Sequence, residues 1–144
     1  MTVFASIVAM VLAADAAAAQ RYDCVLKPGN RTGLVMSAMQ FVLHPDTGIA
    51  TVEDPLIDHV LGHPAQAKLS QNPSGVHWLR WWVEDVPVTT TRTGENLETS
   101  RKKHTTKIYY QAWLNSKTGQ VKVRARTGSR RGSIALKGRC TLTG

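Results

Sequence analysis

The sequence predicts an all-β fold: a single-domain antiparallel β-barrel or sandwich of about eight strands with one short helix, behind an N-terminal signal peptide. Three observations predict it. Short alternating or β-branched runs recur at spacings of about 8–12 residues, with Pro, Gly, Asn and Asp clusters between them. Only one stretch, Asp54–Gly62, carries both the start and the stop signal of a helix. The first nineteen of the 144 residues hold one charged side chain, Asp15, and end in a run of alanines.

That leader comes first. Val3–Ala14 contains no charge and no strong breaker. Its length suits the apolar core of a signal peptide and falls short of a membrane span. Ala17-Ala18-Ala19 supplies the small-x-small pattern for cleavage before Gln20, although Met1-Thr2 lacks the usual Lys or Arg. The expected organisation is a signal peptide over 1–19 and one β domain over 20–144, placed in the periplasm or secreted. Cys24 follows Arg21-Tyr22-Asp23, which is not the small, apolar context of a lipidation site. No second apolar run of eighteen residues exists, so no transmembrane segment is expected in the mature chain.

The mature chain then divides into strands. Tyr22–Lys27 ends at Pro28-Gly29-Asn30, and Ala38–Leu43 ends at His44–Gly48. Ile49–Glu53 leads into the helix. Asp54 is an N-cap type, Pro55 suits the first helical position and Gly62 suits the residue past the end. Leu56, Ile57, Val60 and Leu61 fall on one face. Ala65–Ser70 and Val76–Val83 are strands joined by Gln71–Gly75. Thr89–Thr105 holds no apolar residue but Leu97 and is expected to be an exposed loop. Thr106–Leu114, Gln120–Arg126 and Ser133–Arg139 complete the set. Gln40–Val52 and Gln111–Val123 share Gln, Leu, Thr, Gly and Val at equal spacing. Both read as hairpins with Gly where the turn needs positive φ.

An exported chain meets an oxidising compartment, so Cys24 and Cys140 are expected to pair and tie the first strand to the last. Alternation assigns the faces. Ile108, Tyr110, Ala112 and Leu114 should point inward, as should Val121, Val123 and Ala125, and Ile134, Leu136 and Cys140. Leu79, Trp81 and Val83 join them.

The outward positions carry the charge. The chain holds 18 Lys and Arg against 10 Asp and Glu, a net of +8 that becomes +9 once Asp15 is removed. From Thr99 to Gly144 there is no acidic residue at all, whereas Arg21–Glu98 is net acidic. Lys107, Lys122, Arg124, Arg126, Lys137 and Arg139 share the outer face, Arg130 and Arg131 sit in the Thr127–Gly132 turn, and Lys27 and Lys68 fall outside this cluster. Trp78, Trp82, Tyr109 and Trp113 also point outward; Trp78 and Trp82 could stack a sugar or other planar ligand, and Tyr109 and Trp113 share the face of Lys107. A basic face with interleaved aromatics suits an anionic envelope polymer, a lipid head group or a protein. Export argues against nucleic acid as the partner.

Other chemistry finds less support. His59 and His63 are four apart, but Gly62 and Pro64 bracket His63 and no third ligand is evident, so no metal is expected. No phosphate-binding glycine loop is present and no cofactor is expected. Ser74, His77 and Asp85 are near in sequence without a nucleophile-elbow motif, and no catalytic residue is assigned. Glu53-Asp54 and Glu84-Asp85 could supply a carboxylate pair, which keeps a small periplasmic hydrolase as one alternative. A small-ligand carrier with an open barrel cavity is another. Asn30-Arg31-Thr32 is a glycosylation sequon, while Pro73 rules out Asn72-Pro73-Ser74. A Tyr-x-Cys start, Ser74-Gly75-Val76-His77-Trp78 and a terminal Cys loosely resemble small exported β-barrel lysozyme inhibitors. Those present a Ser-Gly-x-x-aromatic loop to the enzyme's cleft. The resemblance covers these residues alone, and the later lysine-glycine segment of that family has no counterpart here. It supports a binding module and assigns no family.

Overall fold

The computed structural model describes residues 18–27, 34–96, 98–128 and 132–144. Residues 1–17 of the expected leader, the sequon at Asn30 and the turn residues Arg130 and Arg131 lie outside these. Eight antiparallel strands close into a barrel in chain order: β1 (Gln20–Leu26), β2 (Ala38–His44), β3 (Ile49–Glu53), β4 (Ala65–Gln71), β5 (Val76–Thr93), β6 (Thr99–Asn115), β7 (Gln120–Thr127) and β8 (Ser133–Leu142). Helix α1 (Pro55–Leu61) joins β3 to β4. The alternatives of barrel and sandwich thus resolve to a closed barrel, in which no wall strand is left as a sheet edge.

Closure is made by β1 pairing with β8, and the register sets Cys24 directly opposite Cys140. The two are joined by a disulfide, as the compartment argument expected. Gly138 is the position that lets β1 lie so close: a Cβ there would run into the Val25 carbonyl oxygen. The two look-alike hairpins, β2–β3 and β6–β7, sit four strands apart in the ring. Their turn glycines, Gly48 and Gly119, have φ of 66° and 73°, a conformation in which a Cβ is costly.

The core follows the predicted parity. Leu79, Trp81, Val83, Ile108, Tyr110, Ala112, Leu114, Val121, Val123, Ala125, Leu136 and Cys140 are buried, and Ile134 packs partly against them. Trp81 and Tyr110 are cross-strand partners whose rings stack at 5.1 Å, and Phe41 meets Trp81 edge-on at 6.0 Å. Tyr110 donates its hydroxyl proton to the Leu34 carbonyl at 2.7 Å. Helix α1 adds Ile57 to this core. Asp54 caps the helix by accepting from the Ile57 amide at 2.8 Å, and Gly62 closes it in the left-handed region.

One element departs from expectation. The stretch Thr89–Thr105 is not a loop, because β5 and β6 run on as a two-stranded arm with register Val86↔Thr106 to Thr93↔Thr99. A bulge between Val83 and Val86, with Asp85 at φ 56°, marks where the arm leaves the barrel wall. Beyond Val88 the arm has no buried face among the described residues, so it shows no apolar alternation there. Its many threonines favour extended backbone through their β-branched side chains. No helix among the described residues is long and apolar enough to cross a membrane.

Candidate functional site

Outward parity gathers the candidate residues on one wall of the barrel, and the register orders them into rows across the strands. One row runs Ser70, Trp78, Trp113, Lys122, Lys137 from β4 to β8. The next runs Lys68, Arg80, Gln111, Arg124, Ala135. A third places Trp82, Tyr109, Arg126 and Ser133 side by side. Arg139 stands opposite Gln120 at the end of β7. Trp78 and Trp82 are 43% and 57% exposed, a large apolar area for a surface.

The rings and cations are in contact. The Lys107 ammonium lies 5.0 Å from the centroids of both Trp82 and Tyr109, and 3.6 Å from a Glu84 carboxylate oxygen. Arg126 lies 5.2 Å from the Tyr109 ring. Lys122 and Arg124 each lie 5.7 Å from the Trp113 ring. Each such contact is worth about 0.5–1 kcal/mol at an exposed site. The rings therefore act as platforms that hold cations over their faces. A hollow of about 290 Å³ is lined by Trp82, Tyr109, Arg80, Gln111, Arg124 and Arg126.

Two placements differ from expectation. Lys27 and Lys68 do not lie apart from the cluster. Lys68 is the cross-strand partner of Arg80, and the Lys27 backbone amide donates to the Lys137 carbonyl at 3.0 Å. The non-local register that brings them in cannot be read from the spacing of residues along the chain. Arg80 belongs to the face as well. Its signal was present in the sequence, because β5 parity sets it between Trp78 and Trp82.

The other candidate constellations are dispersed. Asp54 is buried as the helix cap, Glu84 pairs with Lys107, and Asp85 occupies the bulge. Burial raises the Asp54 carboxyl above its ordinary value, since the apolar surroundings disfavour the charged form more than the Ile57 amide favours it. Glu84 and Asp85 border a hollow of about 410 Å³ with His59 and Pro87. Ser74 donates to Asn72 in the β4–β5 turn, whereas His77 points into the barrel. Asp85 lies eight positions further along β5, about 26 Å away, so the three form no triad. The Ser74-Gly75 turn is exposed and folds back on the β6–β7 turn, where the Ser116 amide donates to the Gly75 carbonyl at 3.0 Å. His63 sits beyond the helix, with Nδ1 2.9 Å from the Pro64 carbonyl. No group of three or more His, Cys, Asp or Glu side chains among the described residues is placed to hold a metal ion.

Comparison with protein-family models, curated proteins and solved structures finds no match for this chain.

Proposed function

We propose that this is an exported, non-catalytic binding protein that engages an anionic partner of the cell envelope through the outer face of β5–β8. The observation that carries the reading is the set of aromatic-backed cations: Lys107, Lys122, Arg124 and Arg126 each held within 6 Å of a ring centroid, beside Arg80, Lys137 and Arg139. A cation held over a ring has already lost part of its rotamer freedom, so less entropy is lost when it meets an anion. The disulfide fits an oxidising compartment. Acidic groups recur instead on the outer surface of β1–β3, where Asp23 accepts from Gln40 and Glu53 faces Gln40 across β2–β3.

Export is tested by the mature N-terminus. Mass spectrometry of the protein from its native compartment should find Gln20, or a neighbour within a residue or two, as the first residue. Intact Met1 on the folded, oxidised protein would refute it.

Binding is tested with dextran sulfate and with anionic phospholipid vesicles. Affinity for one of them should fall steeply with salt, since screening acts over about 10 Å at 0.1 M. Arg124→Glu with Arg126→Glu should abolish it and lower the melting temperature by only a few degrees, because both side chains are exposed and each gives up one cation–π contact worth about 0.5–1 kcal/mol. The control pair is Lys102→Glu with Lys103→Glu on the arm, which changes net charge equally. Equal losses from the two pairs would mean that bulk charge, with no organised site, attracts the polymer.

A further inference from the structure

A groove of about 970 Å³ opens where the ends of β1, β5, β6 and β7 meet the middle of β8, at the edge of the basic face. Its volume is at the upper end of the range of about 300–1,000 Å³ typical of small-molecule sites. The floor is apolar and includes Val25, Val121 and the Trp113 ring. Val25 is 70% exposed, an outward β-branched side chain set between Arg139 on β8 and Ala38 on β2. The charged lining residues are Lys27, Lys122, Lys137 and Arg139, and no carboxylate lines the groove among the described residues. None of these four cations forms an ion pair among the described residues.

Their arrangement is costly without an anion. Lys122 and Lys137 are direct cross-strand partners, and like charges in that position destabilise a sheet. The third lysine joins them through its backbone, because the Lys27 amide donates to the Lys137 carbonyl. A group with more than one negative charge, placed between them, would relieve the repulsion and accept several charge-assisted hydrogen bonds. Such a head group satisfies only the rim. The apolar floor beside it calls for a hydrocarbon part on the same molecule.

We infer that this groove binds a single anionic amphiphile, with a phosphate head on the Lys27–Lys122–Lys137–Arg139 rim and an alkyl chain along Val25, Val121 and Trp113. The inference rests on reading this surface as anion-binding, and it names a monomeric phosphorylated lipid as the class of ligand at this end.

The probe is dodecyl phosphate, kept below the concentration at which it forms micelles, titrated into isotope-labelled protein and followed by NMR. Saturable shifts are expected at the Val25 methyls and the Trp113 indole N–H. Inorganic phosphate and neutral dodecyl maltoside should each bind at least tenfold more weakly. Val25→Ser and Lys137→Glu alter exposed side chains, and each should weaken dodecyl phosphate by about tenfold or more. Val25→Ser should leave dextran sulfate binding unchanged. The inference is overturned if inorganic phosphate or the neutral detergent binds as tightly, if neither variant weakens binding, or if binding appears only once micelles form. Retained dextran sulfate binding with no amphiphile binding would remove the groove and leave the basic face. Amphiphile binding with no effect of the Arg124 and Arg126 reversals on dextran sulfate would remove the extended face and leave the groove.

Discussion

His77 faces the barrel interior with 6% of its surface exposed, and its Nδ1 has no hydrogen-bond partner among the described residues. Burial pushes the imidazole below its ordinary value of 6.5, because charging it inside the barrel means leaving water. As pH falls through about 6.5, the unfolded chain takes up the proton first and folding stability drops. Above that value both states are neutral and the effect vanishes. The urea midpoint should therefore fall more between pH 7.5 and 5.5 in the wild type than in His77→Leu, and equal pH dependence would show that another group is responsible. The same parity predicts costs elsewhere. Leu114→Ala and Leu136→Ala should each lose about 2–5 kcal/mol, whereas Gln111→Ala and Lys137→Ala should lose less than about 0.5 kcal/mol. Similar losses in the two classes would mean that the strand register is shifted by one residue. At this scale the sequence was informative wherever one face needed burial. His77 was left without a role there, since its closeness to Ser74 and Asp85 comes with no nucleophile-elbow motif. Alternation with Leu79 and Trp81 already pointed that ring inward.

Helix and arm are two elements of opposite legibility. The helix was readable because its signals are local: Asp54, Pro55 and Gly62 act on the backbone within one turn. Asp54→Ala should destabilise the protein by about 1 kcal/mol through loss of the cap. Asp54→Asn keeps an acceptor for the Ile57 amide and removes the buried charge. Because the folded carboxyl titrates above its unfolded value, stability is lost as pH rises past that unfolded value of 3.8 and the buried group must ionise. Asn at this position should therefore match or exceed the wild type at pH 7 in chemical denaturation. A loss as large as that from Ala would mean that the charge itself holds the helix. The arm was not readable. Beyond Val88, its residues have no buried face among the described residues, so the alternation that reveals a strand is missing. The same fact makes it dispensable for folding. Replacing Thr90–Lys102 by Asn-Gly, which suits a two-residue hairpin between Thr89 and Lys103, should leave the barrel's melting temperature within a few degrees. A large drop would show that the arm packs on the barrel wall.

The whole molecule is a ring, and a ring is decided by its last contact. Alternating strands with short turns describe a sandwich as well as a barrel, so closure was not legible from spacing. Only the Cys24–Cys140 pair hinted that the two ends of the chain meet. For the same reason the rows of the basic face were only partly legible. Outward parity selects the right side chains on β5 to β8, but the place of Lys27 beside Lys137 depends on the β1–β8 seam. That seam is held by backbone pairing, by the close approach at Gly138 and by the disulfide. Pairing and close approach act only in the folded state, whereas the disulfide also restricts the unfolded chain, since it links residues 116 positions apart. Loop closure over about 100 residues is worth about 4.7 kcal/mol in the chain-entropy description, and measured losses run about 2–5 kcal/mol. Cys24→Ala with Cys140→Ala should therefore lower stability by that amount. It should also raise the denaturant slope, because an uncrosslinked chain exposes more surface on unfolding. The strand pairing remains, so the double variant at low denaturant should keep its β-sheet circular dichroism. A lowered midpoint with an unchanged slope would place the effect in the folded seam, through the cavity left where two buried sulfurs were. An unchanged midpoint would mean that backbone closure alone sets the stability of the barrel.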